Sequence, residues 1–358
     1  MDRVEQKSHA LSASQVLFWQ GHQLNPDEPL YNMAWRFDLM QEIDPLAFER
    51  AFAHVVSEND ALRLAFEQDG EQPFQWVMRD GPNALQHHDF SGASSSEAAL
   101  QSKLQDWIQT PFDLSKGTLR CHLAKLSQGH WVWILCQHHI ACDAQSGALI
   151  FQAVSEQYLA EVNGSHSKTK TLPAYLDSTP FKVEPVSHKI AHKAPNSTAP
   201  YGSKKVRTGA SERVCINIEP SVFEQFEAAI QTPEFRLFTP DLSRLALFLT
   251  AYLGFLHRIT GDEVITLGLP AHNRLNAEDR ETIGLFVEVL PFEVRVLPND
   301  TLKALHAKVK AALGIFLRSA KPGAVAQQNA RNISAILNFI HAKFDTFADH
   351  PAKVEWLH

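Results

Sequence analysis

The string Gln137-His138-His139-Ile140-Ala141-Cys142-Asp143-Ala144 concentrates groups that can move protons. Neutral imidazole accepts and returns a proton near pH 7, so a histidine held at the edge of a cleft suits general acid or base work. Asp143 follows closely enough to fold back beneath the loop, and a buried carboxylate there demands a cationic partner from elsewhere in the chain. A single histidine beside an apolar strand is most often a satisfied core residue; a pair with a following Asp departs from that pattern. Metal chemistry is disfavoured, because adjacent histidines on one turn seldom converge on one ion and no third ligand follows at a useful spacing. No metal is expected. His87-His88-Asp89 has a similar composition but lies in a Gly/Ser-flanked segment, with no strand signal before it and no helix signal immediately after. It is expected at the surface.

The reactive string needs elements to hold it. Trp131 to Cys136 reads as a buried strand, and a helix is predicted from about Gln145 to Val162, so both histidines leave the end of a strand. Asp44 before Pro45 predicts a capped helix carrying Phe48, Phe52, Val55 and Val56 at helical spacing. Ser12 predicts a cap for an earlier helix along which Val16, Leu17 and Gln20 lie. Further helices are predicted over Pro220 to Ile230, Asp241 to Ile259 and Asp300 to Arg318, the last with Leu302, Leu305, Val309, Leu313 and Phe316 on one stripe. Strands are predicted over Val264 to Leu269, Leu285 to Val296 and Ile333 to Ile340. The alternation of helices and strands points to an α/β chain.

The 358 residues exceed one ordinary domain of roughly 150 residues and favour two. Hydrophobic residues at 44% and charged residues at 20% fit a globular protein and exclude disordered, collagen-like and disulfide-scaffold classes. From residue 178 to 211 the chain is rich in Ser, Lys, Thr, Pro and His, which reads as a flexible interlobe linker between an N-terminal lobe, 1–177, and a C-terminal lobe, 212–358. The net charge of −7 and the scattered Lys and Arg argue against nucleic acid or an anionic membrane as partner. Cys121, Cys136, Cys142 and Cys215 form no CxxC pair, and the N-terminus runs into no apolar stretch, so a reduced, cytoplasmic protein without a secretory leader is expected. The greasy segment from Leu242 to Ile259 contains Arg244, His257 and Arg258 and suits a buried amphipathic helix better than a bilayer span.

Read together, the motifs resemble the condensation domains of nonribosomal peptide synthetases, whose signature is His-His-x-x-x-Asp-Gly. His138, His139 and Asp143 match it, with Ala144 in place of the glycine. The segment Leu11 to Trp19 resembles the family's opening helix, Asn59 to Phe66 a drifted form of its Arg-His-Glu motif, and Pro111 to Leu114 its Phe-Asp-Leu segment. Gly268 to Arg274 is similar to its Gly-x-Pro-x-x-x-Arg motif, and Ile283 to Pro291 to its Ile-Gly-x-Phe-Val-Asn-Thr motif. Several ordered matches over most of the chain are far more specific than one short string.

The resemblance implies two chloramphenicol-acetyltransferase-like lobes arranged as a V-shaped pseudodimer with a central tunnel, and carrier proteins docking at its ends. It implies amide formation between a carrier-bound acyl donor and a carrier-bound aminoacyl acceptor, both on phosphopantetheine of partner carrier proteins, with no cofactor bound by this chain. Neighbouring synthetase domains are the other expected partners, and a starter position at the head of an assembly line is one form of the role. By the resemblance His139 is catalytic, Asp143 pairs with Arg274 across the lobe interface, and His138 turns inward to brace the loop. Ala144, Ser146, Gly284 and Glu288 become candidates for the substrate tunnel. Glu288 stands where the family has asparagine, which suggests a carboxylate facing a cationic or amine-bearing substrate. Tyr175-Leu176-Asp177 begins like the family's Tyr-x-Asp segment without its aromatic continuation, and the chain is short at its C-terminal end for a full domain. Two other readings stay open: a stand-alone acyltransferase making an ester or amide, and a degenerate module that recruits carrier proteins without catalysis.

Overall fold

The computed structural model describes residues 7–82, 84–165, 170–182, 213–327, 333, 335–340, 342, 344 and 346–357. In chain order the strands are β1 (His9–Ala10), β2 (Asn32–Leu39), β3 (Leu64–Asp69), β4 (Gln72–Val77), β5 (Leu85–Asp89), β6 (Leu119–Ser127), β7 (His130–His138), β8 (Val264–Ala271), β9 (Glu288–Arg295), β10 (Thr346–Phe347) and β11 (His350–Trp356). The helices are α1 (Ala13–Leu24), α2 (Pro45–Glu58), α3 (Ser96–Gln109), α4 (Ala144–Val162), α5 (Thr179–Lys182), α6 (Pro220–Gln231), α7 (Pro240–Thr260), α8 (Ala277–Glu281), α9 (Leu302–Ser319) and α10 (Ala324–Gln327). They form two compact units: Met1–Glu184 with Arg274–Phe286 and Ala342–His358, and Pro185–Asn273 with Val287–His341.

The first unit is built on a six-stranded sheet in the order β10-β11-β2-β7-β6-β5. Strand β2 is buried along its whole length and pairs antiparallel with β7, Asn32 opposite His138 and Leu39 opposite Trp131. Its side chains alternate between the faces, as the pleat requires. Trp35 and Phe37 join Trp133, Phe151 and Phe344 in an aromatic layer. On alternate positions Arg36 forms ion pairs with Asp38 at 2.8 Å and with Glu97 of α3 at 2.6 Å. Helix α4 comes close to β2 at Gly147, where a Cβ would stand 2.6 Å from the Trp35 indole nitrogen. Asp44 and Pro45 start α2 as expected, and its Phe48, Phe52, Val55 and Val56 are buried.

Several expectations need correction. Leu85–Asp89 is a strand, parallel to β6, and His88 is half-buried, packing its ring on Trp107 with Nε2 3.2 Å from His122 Nδ1. A polar strand beside an aromatic helix residue carries no alternation signal strong enough to read. On α1, Leu17 and Gln20 face out; the inward face is Ser14, Gln15, Trp19 and His22.

The second unit pairs β8 with β9 and packs α7 and α9 against them around Leu249, Leu253, Leu267, Phe292, Val309 and Leu313. The strand expected over 285–296 is shorter, because Leu285 and Phe286 belong to the first unit. Of the strand expected over Ile333 to Ile340, the described residues retain a parallel bridge between Ile336 and Gly268. Within the expected linker, Thr179–Lys182 is helical and 183–211 lies outside the described residues. Arg274–Phe286 and Ala342–His358, which the sequence reading places in the 212–358 lobe, pack with the first unit: β11 pairs with β2, and Arg274 reaches Asp143. Among the described residues no helix is long and apolar enough to cross a membrane.

Candidate active site

His138 ends β7 and His139 opens the turn that leads into α4. The turn is tied on three sides. The His139 N–H donates to the Tyr31 carbonyl at 2.8 Å, the Ala141 N–H to the His138 carbonyl at 3.1 Å, and the Gln15 side-chain amide to the Ile140 carbonyl at 3.3 Å. Gln15 is itself fixed, closing a capping box with Ser12 and exchanging amide hydrogen bonds with Gln75. Gln15, Phe18 and His22 recur at helical spacing, so one face of α1 meets the histidine turn.

The two histidines differ. His138 is buried, its Nδ1 accepts from the Ile140 N–H at 3.2 Å, and its ring meets His22, Tyr31 and Phe112 edge-on. Burial pushes its pKa well down, helped by the nearby His22, so it is neutral and carries its proton on Nε2. His139 is partly open, and its imidazole stacks on Phe18 with ring centroids 4.7 Å apart and 16° between planes. Burial lowers its pKa too, against the opposing pull of the backbone carbonyls of His139 and Cys142 and the Asp143 charge. Its Nδ1 is enclosed and makes no hydrogen bond of good geometry. At neutral pH it is an unprotonated imidazole able to take a proton.

Beneath the turn, Asp143 caps α4 and holds the cation its burial requires. Arg274 Nη2 stands 2.8 and 3.0 Å from the two carboxylate oxygens. Asp143 also accepts from the Ser146 N–H at 2.9 Å and the Phe286 N–H at 3.3 Å. Burial by itself would raise the Asp143 pKa; the Arg274 charge and these hydrogen bonds outweigh it and hold the carboxyl below its usual range. Arg274 in turn donates to the Asp279 and Thr282 carbonyls and lies 4.1 Å over the Phe286 ring. The sequence thus anticipates the pair but not its setting, since Arg274 belongs to the same compact unit as Asp143.

The other candidates have different positions. Ser146 is fully buried, and its hydroxyl accepts from the Gly284 N–H at 3.0 Å and lies 2.8 Å from the Gly284 carbonyl. It fastens the 282–286 segment to α4 rather than lining open space. Gly284 presses on Tyr175, whose ring would stand 2.1 Å from a Cβ, and the Tyr175 hydroxyl donates to the Leu285 carbonyl at 2.8 Å. Ala144 is the first residue of α4 and has no positive φ, so the backbone there does not require the glycine of the signature. Glu288 is buried in the second unit and accepts from the Gly323 N–H at 2.6 Å and the Val325 N–H at 2.9 Å. Its carboxylate has an internal use, which removes the need for a cationic substrate to explain it. Phe18 and Tyr31 are ring and backbone partners that the sequence reading missed; the spacing of Gln15, Phe18 and His22 was the available signal. Among the described residues no group of three or more His, Cys, Asp or Glu is placed to hold a metal ion.

The geometry agrees with known proteins. The condensation domain profile matches residues 5–179 and 201–322. An isonitrile lipopeptide synthase of Streptomyces coeruleorubidus is 28% identical over 321 residues, covering 85% of this chain and 21% of the relative. The phosphinothricin tripeptide synthetase PhsC of Streptomyces viridochromogenes is 27% identical over 322 residues, 84% of this chain and 29% of the relative. The chain therefore spans less than a third of the length of either. A starter condensation domain of rhizomide synthetase, solved as a variant in complex with C8-CoA, superposes with a TM-score of 0.80 at 24% identity, covering 98% of this chain and 83% of that one. The first condensation domain of the calcium-dependent antibiotic synthetase, bound to a substrate analogue, gives 0.76 at 19% identity, with 98% and 85% covered. The fold is that of solved condensation domains, and with the profile covering most of the sequence, the chain belongs to the condensation domain family of nonribosomal peptide synthetases.

Proposed function

We propose that the chain joins an acyl group, presented as a thioester, to the amine of an aminoacyl acceptor, with His139 as its catalytic residue. The observation that carries this reading is the His139 imidazole, neutral through burial, stacked on Phe18 and held on a turn braced by the buried Asp143–Arg274 pair. The acceptor nitrogen attacks the thioester carbonyl and forms the new C–N bond. His139 Nε2 takes the proton that the nitrogen sheds, the tetrahedral intermediate expels the thiolate, and the proton returns to sulfur. Atoms balance without metal or cofactor. Donor and acceptor arrive on phosphopantetheine arms of carrier proteins, which with neighbouring synthetase domains are the partners. The match to a starter domain crystallised with C8-CoA favours a fatty acyl donor and a starter position.

The test is product formation from an acyl-loaded carrier or acyl-CoA and a carrier-bound aminoacyl acceptor. His139→Ala is expected to lose at least about 100-fold in kcat, the usual scale for removing general base assistance. Equal turnover by wild type and variant would reject His139 as catalytic, and absence of turnover in both would favour recruitment of carriers without catalysis. Replacing the amine by an alcohol acceptor separates amide from ester synthesis.

A further inference from the structure

A catalytic histidine needs a fixed ring plane, and the common device is a hydrogen bond to its second nitrogen. On His139 that device is poorly aligned: the backbone carbonyls of His139 and Cys142 pull on the ring, but its enclosed Nδ1 makes no hydrogen bond of good geometry, so a second contact is needed to set the plane. The only ring stacked on it among the described residues is Phe18, nearly parallel at 16° and 4.7 Å. Phe18 is in turn held by the edge of Tyr31, at 5.0 Å and 83°. Tyr31 also receives the His139 N–H on its carbonyl, so ring and backbone of one residue fix both members of the stack. Gly21 permits this arrangement, since a Cβ there would meet the Tyr31 hydroxyl. Three residues of α1 thus converge on the site: Gln15 on the Ile140 carbonyl, Phe18 on His139, and His22 on His138.

We propose that Phe18 is a positioning residue for the condensation reaction: its ring fixes the plane of the His139 imidazole, and its π-face stabilises the imidazolium that forms when Nε2 takes the amine proton. The proposal rests on His139 acting as the proton acceptor. A phenyl face attracts a cation within about 6 Å of its centroid, so the stack favours the charged ring that the reaction produces over the neutral ring that precedes it. The other titratable groups near this imidazole are Asp143, whose charge favours the cation, and His138, with His22 beyond it, both kept neutral by burial. Leucine at position 18 would keep most of the apolar cover and lose the π-face.

The experiment compares Phe18→Leu, Phe18→Met and Phe18→Trp in the full chain, each checked for cooperative unfolding. Two readouts are taken: kcat and KM for the aminoacyl acceptor, and the imidazole pKa of His139 from the NMR titration of ring-labelled histidine, assigned with His139→Gln. Phe18→Leu and Phe18→Met are expected to lower kcat about tenfold with KM within about twofold, and to lower the His139 pKa; Phe18→Trp is expected to retain both values. Full kcat in the leucine variant, or reduced kcat with an unchanged His139 pKa, overturns the proposal, as does a tryptophan variant that fails like leucine. The titration needs no turnover. A wild type without activity would therefore refute the reading of the preceding subsection, while the pKa comparison would still decide the stack.

Discussion

Asp143 and Arg274 keep only 6% of their side-chain surface exposed, so each is the other's substitute for water. Taking one away leaves a buried charge uncompensated, at a cost of about 3–5 kcal/mol. Urea unfolding of Asp143→Leu and Arg274→Met should show losses of that size, and the double variant Asp143→Leu/Arg274→Met should lose clearly less than their sum. Simple additivity would mean that the pair is not coupled. The Asp143 carboxyl is held below its ordinary range, so its contribution is complete above about pH 4 and fades as the pH falls through the lowered value. Such a pair adds little net stability over a hydrophobic packing of equal volume; what it supplies here is a fixed floor under His139.

At the scale of elements, the 282–286 segment is held against α4 and the Tyr175 turn by a relay. Asp60 accepts the Tyr175 and Leu176 N–H groups at 2.8 and 2.9 Å, Tyr175 donates to Leu285, and Ser146 ties Gly284 to α4. Gly284→Ala would push a methyl group into the Tyr175 ring, and overpacking of this kind costs about 1–3 kcal/mol. Thermal unfolding should register that loss, and Tyr175→Leu added to Gly284→Ala should recover part of it; an unperturbed Tm in Gly284→Ala would contradict the close contact. Much of the site was legible in advance, because His138, His139, Asp143 and the strand and helix around them depend on local signals: burial pattern, capping and turn. Arg274 came from motif order. Legibility stopped where the partner is distant and apolar. Phe18 reads as one more hydrophobic residue of an amphipathic helix, and only the tertiary placement of α1 makes it a ring on an imidazole. Ser146 and Glu288 were named as tunnel candidates, and their hydrogen bonds to backbone groups were not legible, since polar side chains at motif positions serve buried backbone groups as readily as substrates.

Across the whole molecule, burial keeps an unequal number of histidines neutral in the two units. Among the described residues His22, His88, His122, His138 and His139 of the first unit have lowered pKa values, while in the second unit His306 does. His122 is pushed down to about 3, first by burial and then by His88 and Arg120. An unfolded chain protonates these rings near pH 6.5, so their contribution is intact above that value and is lost as the pH falls towards the folded one. His122 alone then withdraws about 2 kcal/mol at about pH 5. Hydrogen exchange followed from pH 7 to 5, corrected for intrinsic rates, should find the first unit weakening more steeply than the second, and His122→Leu should flatten that slope; parallel slopes would exclude histidine burial as the cause.

The pairing of β11 with β2 sets a schedule for synthesis. Trp35 lies opposite Trp356, so that edge of the first sheet stays uncovered until β11 has been made. At roughly 5–20 residues per second, about 310 intervening residues keep the edge waiting for some 15–60 s. During that interval an apolar strand with free N–H and C=O groups is open to any other strand that meets it. During synthesis the first unit therefore cannot close its own sheet early, and yield in the cell should depend on what shields β2 until β11 arrives.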